Sequence, residues 1–598
     1  MLACCGGALA NPVGPKVAAG AAAFQASGKT LTITNAPGTI INWQSFSIGS
    51  GELTRFNQQS ASSAVLNRVV GSDGSKILGT LASNGRVFLV NPHGIVFGAG
   101  ARIDTAGFIA STLNITDKDF LQGKLKFEDV GNAVLRNEGA IRASGDIVLV
   151  GPVIENAGLI RSESGVVLLA AVRSVTITSP DAQGVKFELQ APTDTALNLG
   201  AIEASGAASM LAGTLRHAGD IRASTASVEG ARVVLQAQKE AIVEAGASIS
   251  ANGAHGGSVT VQSGDLTVVS GRVEATGSAG PGGTVRILGS RVGVFEGASV
   301  DASGTSGGGT ILVGGDYQGK SPDIANASQT IVASGTQLRA DAIDSGDGGK
   351  VIVWADNSTR FAGEISARGG AQSGDGGFVE VSGKKFLDFQ GDVDTRAPNG
   401  KAGTLLLDPT TIDIVASDTP PVPTELVGDR SAPADSRFQE TGESAPGISR
   451  LAVTRLQEQL KKSDVVISTD SAGNGVGDIN FNTALGGALT AAFGCSFTGA
   501  GGNSYNIITT TVPNGIRGNF ASTSLPSWFT TATTPSAFVL TQSGGSSGSS
   551  PSSSSMGSMQ RIEDLIALNE LETLPRTEPV LVEQRKGTQS LICGPGST

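Results

Sequence analysis

Apolar positions along this chain come in short runs, broken every few residues by Gly, Pro, Asn or Ser. Val87–Val90 (VFLV) reads as a buried strand. Asn91-Pro92 ends it, because Pro has no N–H to donate and Asn tolerates turn geometry. Gly94 permits a reversal, and Ile95-Val96-Phe97 begins a second strand. Gly98 and Gly100 turn the chain again, and Ile103 and the Phe108–Ile109 pair mark two more strands. Strands of three to five residues joined by turns of two to four predict a coiled sheet.

From Asn137 the pattern repeats. Asn137–Ala143 (NEGAIRA) returns 19 residues on as Asn156–Ser162 (NAGLIRS), and Asn198–Ala204 (NLGAIEA) returns 19 on as His217–Ala223 (HAGDIRA). Further along, a Gly pair precedes a β triplet at Gly256-Gly257, Gly282-Gly283, Gly308-Gly309, Gly348-Gly349 and Gly376-Gly377, and Lys401-Ala402-Gly403 closes the series. The second Gly of each steps by 26, 26, 40, 28 and 26 residues, so the 40 implies an insertion around Tyr317–Gln329. A triplet centred on Ile or Val and followed by Ala precedes most pairs, at Ser248, Arg272, Ser299 and Glu364.

Each unit of 19–28 residues is read as one turn of a coil with two or three strands. Alternate positions make an inward apolar row that one turn cannot bury alone. Stacking on the turns above and below buries it and pairs the backbone along the axis, at roughly 4.8 Å per turn. The exposed ladder edges fall at the two ends, which need caps. The first cap is expected before about Trp43, with Trp43 a candidate plug. Asn137, Asn156 and Asn198 recur at one turn, where turn geometry or an inward amide ladder explains them better than a ligand does.

Composition fits this picture. Gly is 84 of 598 residues, aromatics are 4% and charged residues 16%. No Gly-X-Y period exists, which excludes collagen. The net charge is −11 and the 42 Lys and Arg are scattered, with no basic stripe interleaved with aromatics, so no nucleic-acid partner is expected. No apolar run reaches the ~18 residues of a transmembrane helix.

Residues 1–10 (MLACCGGALA) read as the remnant of a signal peptide. The segment ends in Ala8-Leu9-Ala10 but lacks a basic start, which the reading places upstream of Met1. A lipoprotein reading of Leu2-Ala3-Cys4 lacks the apolar core. Two β-helix stretches follow, 11–250 and the Gly-rich 251–415. Residues 416–462 read as a Pro-rich linker with a short helix at Ile448–Lys462, where Leu451, Val453, Leu456 and Leu460 fall near helical spacing. Residues 463–542 read as irregular β structure, 543–559 as a flexible Ser/Gly linker, and 560–598 as an acidic amphipathic helix at Gln560–Leu574 with a disordered tail. Cys495 and Cys593 could pair or be free.

Asn91-Pro92-His93-Gly94-Ile95 resembles the Asn-Pro-Asn-Gly-Ile signature of the two-partner secretion domain, which heads filamentous haemagglutinins and high-molecular-weight adhesins of Gram-negative bacteria. His93 stands where that signature has Asn. Ile40–Glu52, Phe56–Gln58, Val65–Gly71, Ser83–Val90 and Gly107–Ile115 are similar to the family in the same order, and Leu405–Ile414 is similar to a later part of it. The resemblance implies an all-β fold, a right-handed parallel β-helix (solenoid) with an N-terminal cap and a low-complexity, partly disordered C-terminal region. It implies export through an outer-membrane β-barrel transporter with POTRA domains. Asn67, Asn91, Pro92, His93, Gly94 and Ile95 would then serve transporter recognition or early folding.

Chemistry in the sequence is sparse. The three His, His93, His217 and His255, lie far apart and are read as surface turn residues. Gly28-Lys29-Thr30 ends like a phosphate loop, but Ala23 stands where its first Gly is needed. The GDGG turns at Gly346–Gly349 and Gly374–Gly377 do not fit the calcium nonapeptide, and Asp470 with Asp478 supply two carboxylates where Ca²⁺ takes six or more oxygens. Glu274, Asp301 and Asp341, and Arg142, Arg161 and Arg222, recur at a strand position. They are read as a solvated ladder of charges on an outer face, not the convergent site of a polysaccharide-active β-helix enzyme. No catalytic residue, metal or cofactor is expected. The reading is a secreted, surface-associated or extracellular adhesin-type exoprotein acting by binding a cell-surface receptor or glycan. The alternatives are a haemolysin, a truncated contact-dependent toxin passenger, or a β-helix enzyme.

Overall fold

The Ile/Val triplets followed by small residues do form strands, and the strands stack in parallel. The computed structural model describes residues 11–128, 131–177, 194–224, 230–416 and 448–469, together with short strands at 185–188 and from 478 onward. Its chain divides into two units, Met1–Gly289 with Gly297–Ala302, and Ser290–Glu296 with Ser303–Thr598.

The first unit is a three-walled parallel β-helix. One coil runs Arg86–Val90 (wall A), Ile95–Phe97 (wall B) and Arg102–Thr105 (wall C), and Gly107–Ser111 opens the next wall-A rung. Wall C shows the inward row most plainly. Leu81, Ile103, Ile141, Ile160, Ile202, Ile221, Ile249, Val273 and Val300 lie in register from coil to coil, all at most 1% exposed. Their strand neighbours face outward, so wall C alternates buried and exposed positions, as one solvated face requires.

The recurrent Gly before the wall-C strand is explained by stacking. A Cβ on Gly158 would lie 2.1 Å from Gly139 O, and one on Gly200 would lie 2.1 Å from Gly158 O. Each rung sits with its backbone directly on the one before, which leaves no room for a side chain.

The top is closed as expected from residues before Trp43. Lys16–Ala19 pairs antiparallel with Thr39–Trp43, and Ala22–Ser27 pairs antiparallel with Thr30–Asn35. Trp43 is 0% exposed and packs edge-on against Phe24 and Phe46.

Wall A differs from wall C. Its strands Gly107–Ser111, Ile147–Gly151 and Val167–Ala171 are buried at every position, on both faces. Outside the inner row runs a second apolar column, Ile40, Leu66, Phe88, Ile109, Val148 and Leu168, in register from rung to rung. Two excursions cover it. One is α1, Asp117–Leu121, capped by Thr116, whose Oγ1 accepts the Asp119 N–H at 3.0 Å. Its Phe120 meets Phe88 edge to face at 5.1 Å. The other is an antiparallel sheet of Leu125–Glu128, Ser174–Ile177 and Val185–Glu188, from which Phe127, Val175 and Ile177 pack inward. Burying each Phe stabilises by about 1.5–3 kcal/mol.

In the second unit wall A is Thr310–Val313, Lys350–Ala355, Phe378–Gly383, Thr404–Leu407 and Asp464–Ile467. The expected insertion is present as residues 314–327, with a short 3₁₀ turn at Tyr317–Gly319. It covers a smaller outer patch of Leu312, Ile352 and Trp354, joined by Ile324 and Phe378.

Several expectations change. The helix read at Ile448–Lys462 is shorter: Ser449–Ala452 is a strand paired with Thr411–Val415, and only Val453–Gln459 (α2) is helical. The ladder claims the first four residues because their backbone finds a strand partner there. Asp341 is buried, not outward. The wall-C strand is Gln337–Arg339, so Asp341 falls past its end, where its carboxylate accepts the Arg368 N–H at 2.7 Å. In the predicted helix Gln560–Leu574, the described residues Ile566–Leu568 form a strand against Phe520–Thr523. Residues 1–10, 417–447 and 543–559, together with Asp470, Cys495 and Cys593, lie outside the described residues.

Candidate functional site

The Asn91–Ile95 turn joins a wall-A strand to a wall-B strand, and its geometry is set from inside. Asn91 is 0% exposed. Its Oδ1 accepts the His93 N–H at 2.9 Å, which makes an Asx turn, and its backbone O accepts the Gly94 N–H at 3.1 Å. Its Nδ2 donates to Asp73 O and Ser75 Oγ, both at 3.0 Å, in the preceding coil. The Asn91 N–H donates to Ser111 O at 3.0 Å in the following one. Gly94 has φ 107, left-handed territory open to glycine. Ile95 is 0% exposed in the core. Of the five residues, His93 is exposed and Pro92 and Gly94 half-buried.

Asn67 is not part of this turn. Its side chain is 0% exposed: Oδ1 accepts the Trp43 Nε1–H at 3.0 Å, and Nδ2 donates to Phe88 O at 3.1 Å. It thereby ties the plug to the first coils. The sequence reading missed Asp73, Ser75 and Ser111, which hold Asn91 from either side. The signal for Ser75 was its position, 20 residues before Ile95, about one repeat.

The recurrent Asn residues form an inward ladder. Asn137 Nδ2 donates to Asn156 Oδ1 at 2.8 Å, and Asn156 Nδ2 to Asn198 Oδ1 at 2.7 Å. The chain ends on His217, which is 0% exposed, a correction to its reading as a surface turn residue. His217 replaces Asn at the fourth rung, and its ring Nε2 lies 3.1 Å from Ser248 O. A carbonyl only accepts, so Nε2 carries the proton, and Nδ1 accepts from Asn198 Nδ2 at 3.0 Å. That fixes the direction of every amide above it. Burial holds the His217 pKa below its ordinary value.

The recurrent charges do not converge. Arg142 pairs in register with Arg161, Glu203 with Arg222, and Glu274 with Asp301, all on the outward face of wall C. In the second unit a cleft of about 420 Å³ is lined by Glu364, Asp392, Arg455, Glu458 and Lys462 among others. Its Lys462 is paired with Asp392 at 2.8 Å, and Arg455 donates to Gln390 O at 2.6 Å. Among the described residues no cluster of three or more His, Cys, Asp or Glu could hold a metal, and no helix is long and apolar enough to cross a membrane.

The second unit holds a buried ionisable group, Glu380. Glu380 lies on the outer side of wall A, between Ile352 and Leu406 in register, yet is 0% exposed under the 314–327 insertion. Gln318, at φ 51, donates its N–H to Glu380 Oε2 at 3.0 Å and its Nε2–H to Asp408 Oδ2 at 2.8 Å. Burial pushes the Glu380 carboxyl up to about 8.

Residues 11–251 match the family model of the TPS secretion domain. The chain is 32% identical over 205 residues to a heme/hemopexin-binding protein of Haemophilus influenzae, and 40% identical over 75 residues to another protein of that name from the same organism. These alignments cover 32% and 12% of this chain, and 23% and 8% of the relatives, so the chain spans under a quarter of the length of the curated relatives it matches. The crystal structure of the HMW1 secretion domain from Haemophilus influenzae is similar at a TM-score of 0.52 and 32% identity, over 67% of this chain and 100% of that one. With that whole domain matched in both sequence and fold, the chain belongs to the two-partner secretion exoproteins.

Proposed function

We propose that this chain is the secretion-competent part of an exoprotein that crosses the outer membrane through a cognate β-barrel transporter bearing POTRA domains, and then acts extracellularly by binding. The observation that carries the reading is the match to the TPS secretion domain over residues 11–251. The Asn91–Ile95 turn supports it: Asn91 spends its side chain on neighbouring coils, which leaves Pro92 and His93 as the outward tip. In this reading Asn67, Asn91, Gly94 and Ile95 act through the shape of the first coils, and Pro92 and His93 meet the transporter.

The test is export. Co-expression with the cognate transporter should release the chain to the medium. Asn91→Ala should leave most of it in the periplasm, and His93→Asn should be exported like the parent. Equal export with and without the transporter would overturn the reading.

For the bound partner, the names of the relatives favour haem or hemopexin over a glycan. Surface plasmon resonance of the purified chain against haem-loaded hemopexin and against cell-surface glycans separates the two. A purely binding protein turns over no polysaccharide and lyses no erythrocytes.

A further inference from the structure

In the second unit wall C ends differently from how it runs. Its last strand among the described residues is Asp392–Asp394, paired with Glu364–Ser366. The next element in chain order that belongs in this slot is α2. The strand before α2, Ser449–Ala452, pairs with wall B at Asp388↔Arg450, and the strand after it, Asp464–Ile467, pairs with wall A at Thr404↔Asp464. A helix therefore stands where a wall-C strand is due.

The hydrogen bonds follow the same substitution. In this unit the residue after each of the two preceding wall-C strands donates its N–H to the next rung: Ala340 to Ser366 O at 2.7 Å, and Ala367 to Asp394 O at 2.9 Å. At the equivalent place on the last strand, Thr395 donates its N–H to Lys462 O at 3.1 Å, just past α2. Val393, whose N–H points the same way, donates to Gln459 Oε1 at 2.9 Å. Gln459 Nε2 returns a bond to Asp392 Oδ1 at 3.0 Å, and Lys462 Nζ reaches both Asp392 oxygens at 2.8 Å. Thr395 Oγ1 and Ser463 Oγ lie 2.9 Å apart. Leu456, 0% exposed, seats the helix. A side-chain amide, a backbone carbonyl and an ion pair thus satisfy an edge that a strand would otherwise satisfy.

An open parallel edge is a template for strand addition. Here the best-matched strand is one from this same sequence, because its wall-C strands already pair Ile on Val in register, as at Ile365↔Val393. We propose that Ser449–Ser463 is a stop for wall C, closing the edge at Val393 and Thr395 against strand addition by a second copy of this chain.

The test uses the full chain. Gln459→Ala removes the Val393 partner and leaves the helix seated by Leu456. Leu456→Asp unseats the helix. Glu458→Gln, on the same helix with an exposed carboxylate paired to Lys461, is the control. Amide hydrogen exchange at Val393 should speed up at least tenfold in Gln459→Ala, and at both Val393 and Thr395 in Leu456→Asp. Ala367 should keep its protection, and Glu458→Gln should match the parent. In sedimentation velocity Leu456→Asp should show concentration-dependent association that the parent lacks. Unchanged exchange at Val393 in Gln459→Ala, which does not depend on Leu456→Asp folding, would overturn the proposal. So would fast exchange in a folded Leu456→Asp chain that sediments like the parent at every concentration.

Discussion

Wall A is covered twice in this molecule, once in each unit, and the two covers are built from different chemistry. In the first unit the outer column from Ile40 to Leu168 is apolar throughout, and Phe120, Phe127, Val175 and Ile177 close over it. In the second, Leu312, Ile352 and Trp354 share their face with Glu380 and Asp408, and the cover is a short insertion tied down through Gln318 and the Lys350–Asp316 ion pair. Apolar burial does not respond to pH, whereas a carboxyl with one oxygen, Oε1, left without a hydrogen bond does. The comparison teaches that one repeat architecture can carry a cover indifferent to acidity and a cover sensitive to it, set by a single outward position in the strand.

The largest effect that can break this contrast is at Phe127. Phe127→Ala removes a fully buried ring from the first cover and should destabilise by about 3–5 kcal/mol in urea denaturation, by the same amount at pH 6 and pH 9. A marked pH dependence of that loss would show that the first cover is not the apolar lid described here.

Glu380 comes next. Its folded pKa of about 8 stands above the ordinary 4.5, so the folded state holds the proton more tightly than the unfolded one. The stability this gives is fully present below about pH 4.5 and is lost as pH rises through 8. Between pH 6 and 9 the parent should lose roughly 2–3 kcal/mol from this group. Glu380→Gln should melt like the parent at pH 4 and above it at pH 6, with the margin widening up to about pH 8.

Smaller effects lie in the amide ladder. Asn156→Ala leaves Asn137 Nδ2 and Asn198 Oδ1 unpartnered inside the coil, at about 1–3 kcal/mol, read by the same denaturation. His217 gives the reverse pH sign to Glu380. Its folded pKa is lowered, so the stability it contributes is present above about pH 6.5 and lost as pH falls, by at most about 1.4 kcal/mol per unit. His217→Asn, which extends the ladder with a group that does not titrate, should remove that acid decline.

Much of the scaffold was legible because stacking imposes a period. The 19-residue echo of Asn137–Ala143, the Gly pairs and the insertion at Tyr317–Gln329 all follow from rungs that must superpose. The Val87–Val90 run announced a buried strand, but nothing local said that residues 117–128 and 174–177 supply a cover over its outer face. His217 looked like a turn residue because its partners, Asn198 and Ser248, are 19 and 31 residues away and meet it only through register. Glu380 in FVEV alternates like a solvent-facing residue, and the loop that buries it begins 66 residues earlier, at Gly314. Asp341 was misplaced because the lengthened repeat shifts the strand by two residues. At the candidate site the Asn-Pro-x-Gly-Ile turn was readable, whereas the inward aim of Asn67 and Asn91 depended on which side of the pleat each occupies.

The contrast between the two covers is tested most directly by hydrogen-exchange protection factors, corrected for intrinsic exchange, measured from pH 6 to pH 9 in the parent chain and in Glu380→Gln. Protection across residues 314–327 should fall in the parent as pH rises from 6 to about 8, then level off, and hold in the variant, while Leu125–Glu128 and Ser174–Ile177 stay protected in both. Equal loss of protection in both covers, or a fall across 314–327 that survives Glu380→Gln, would contradict the account.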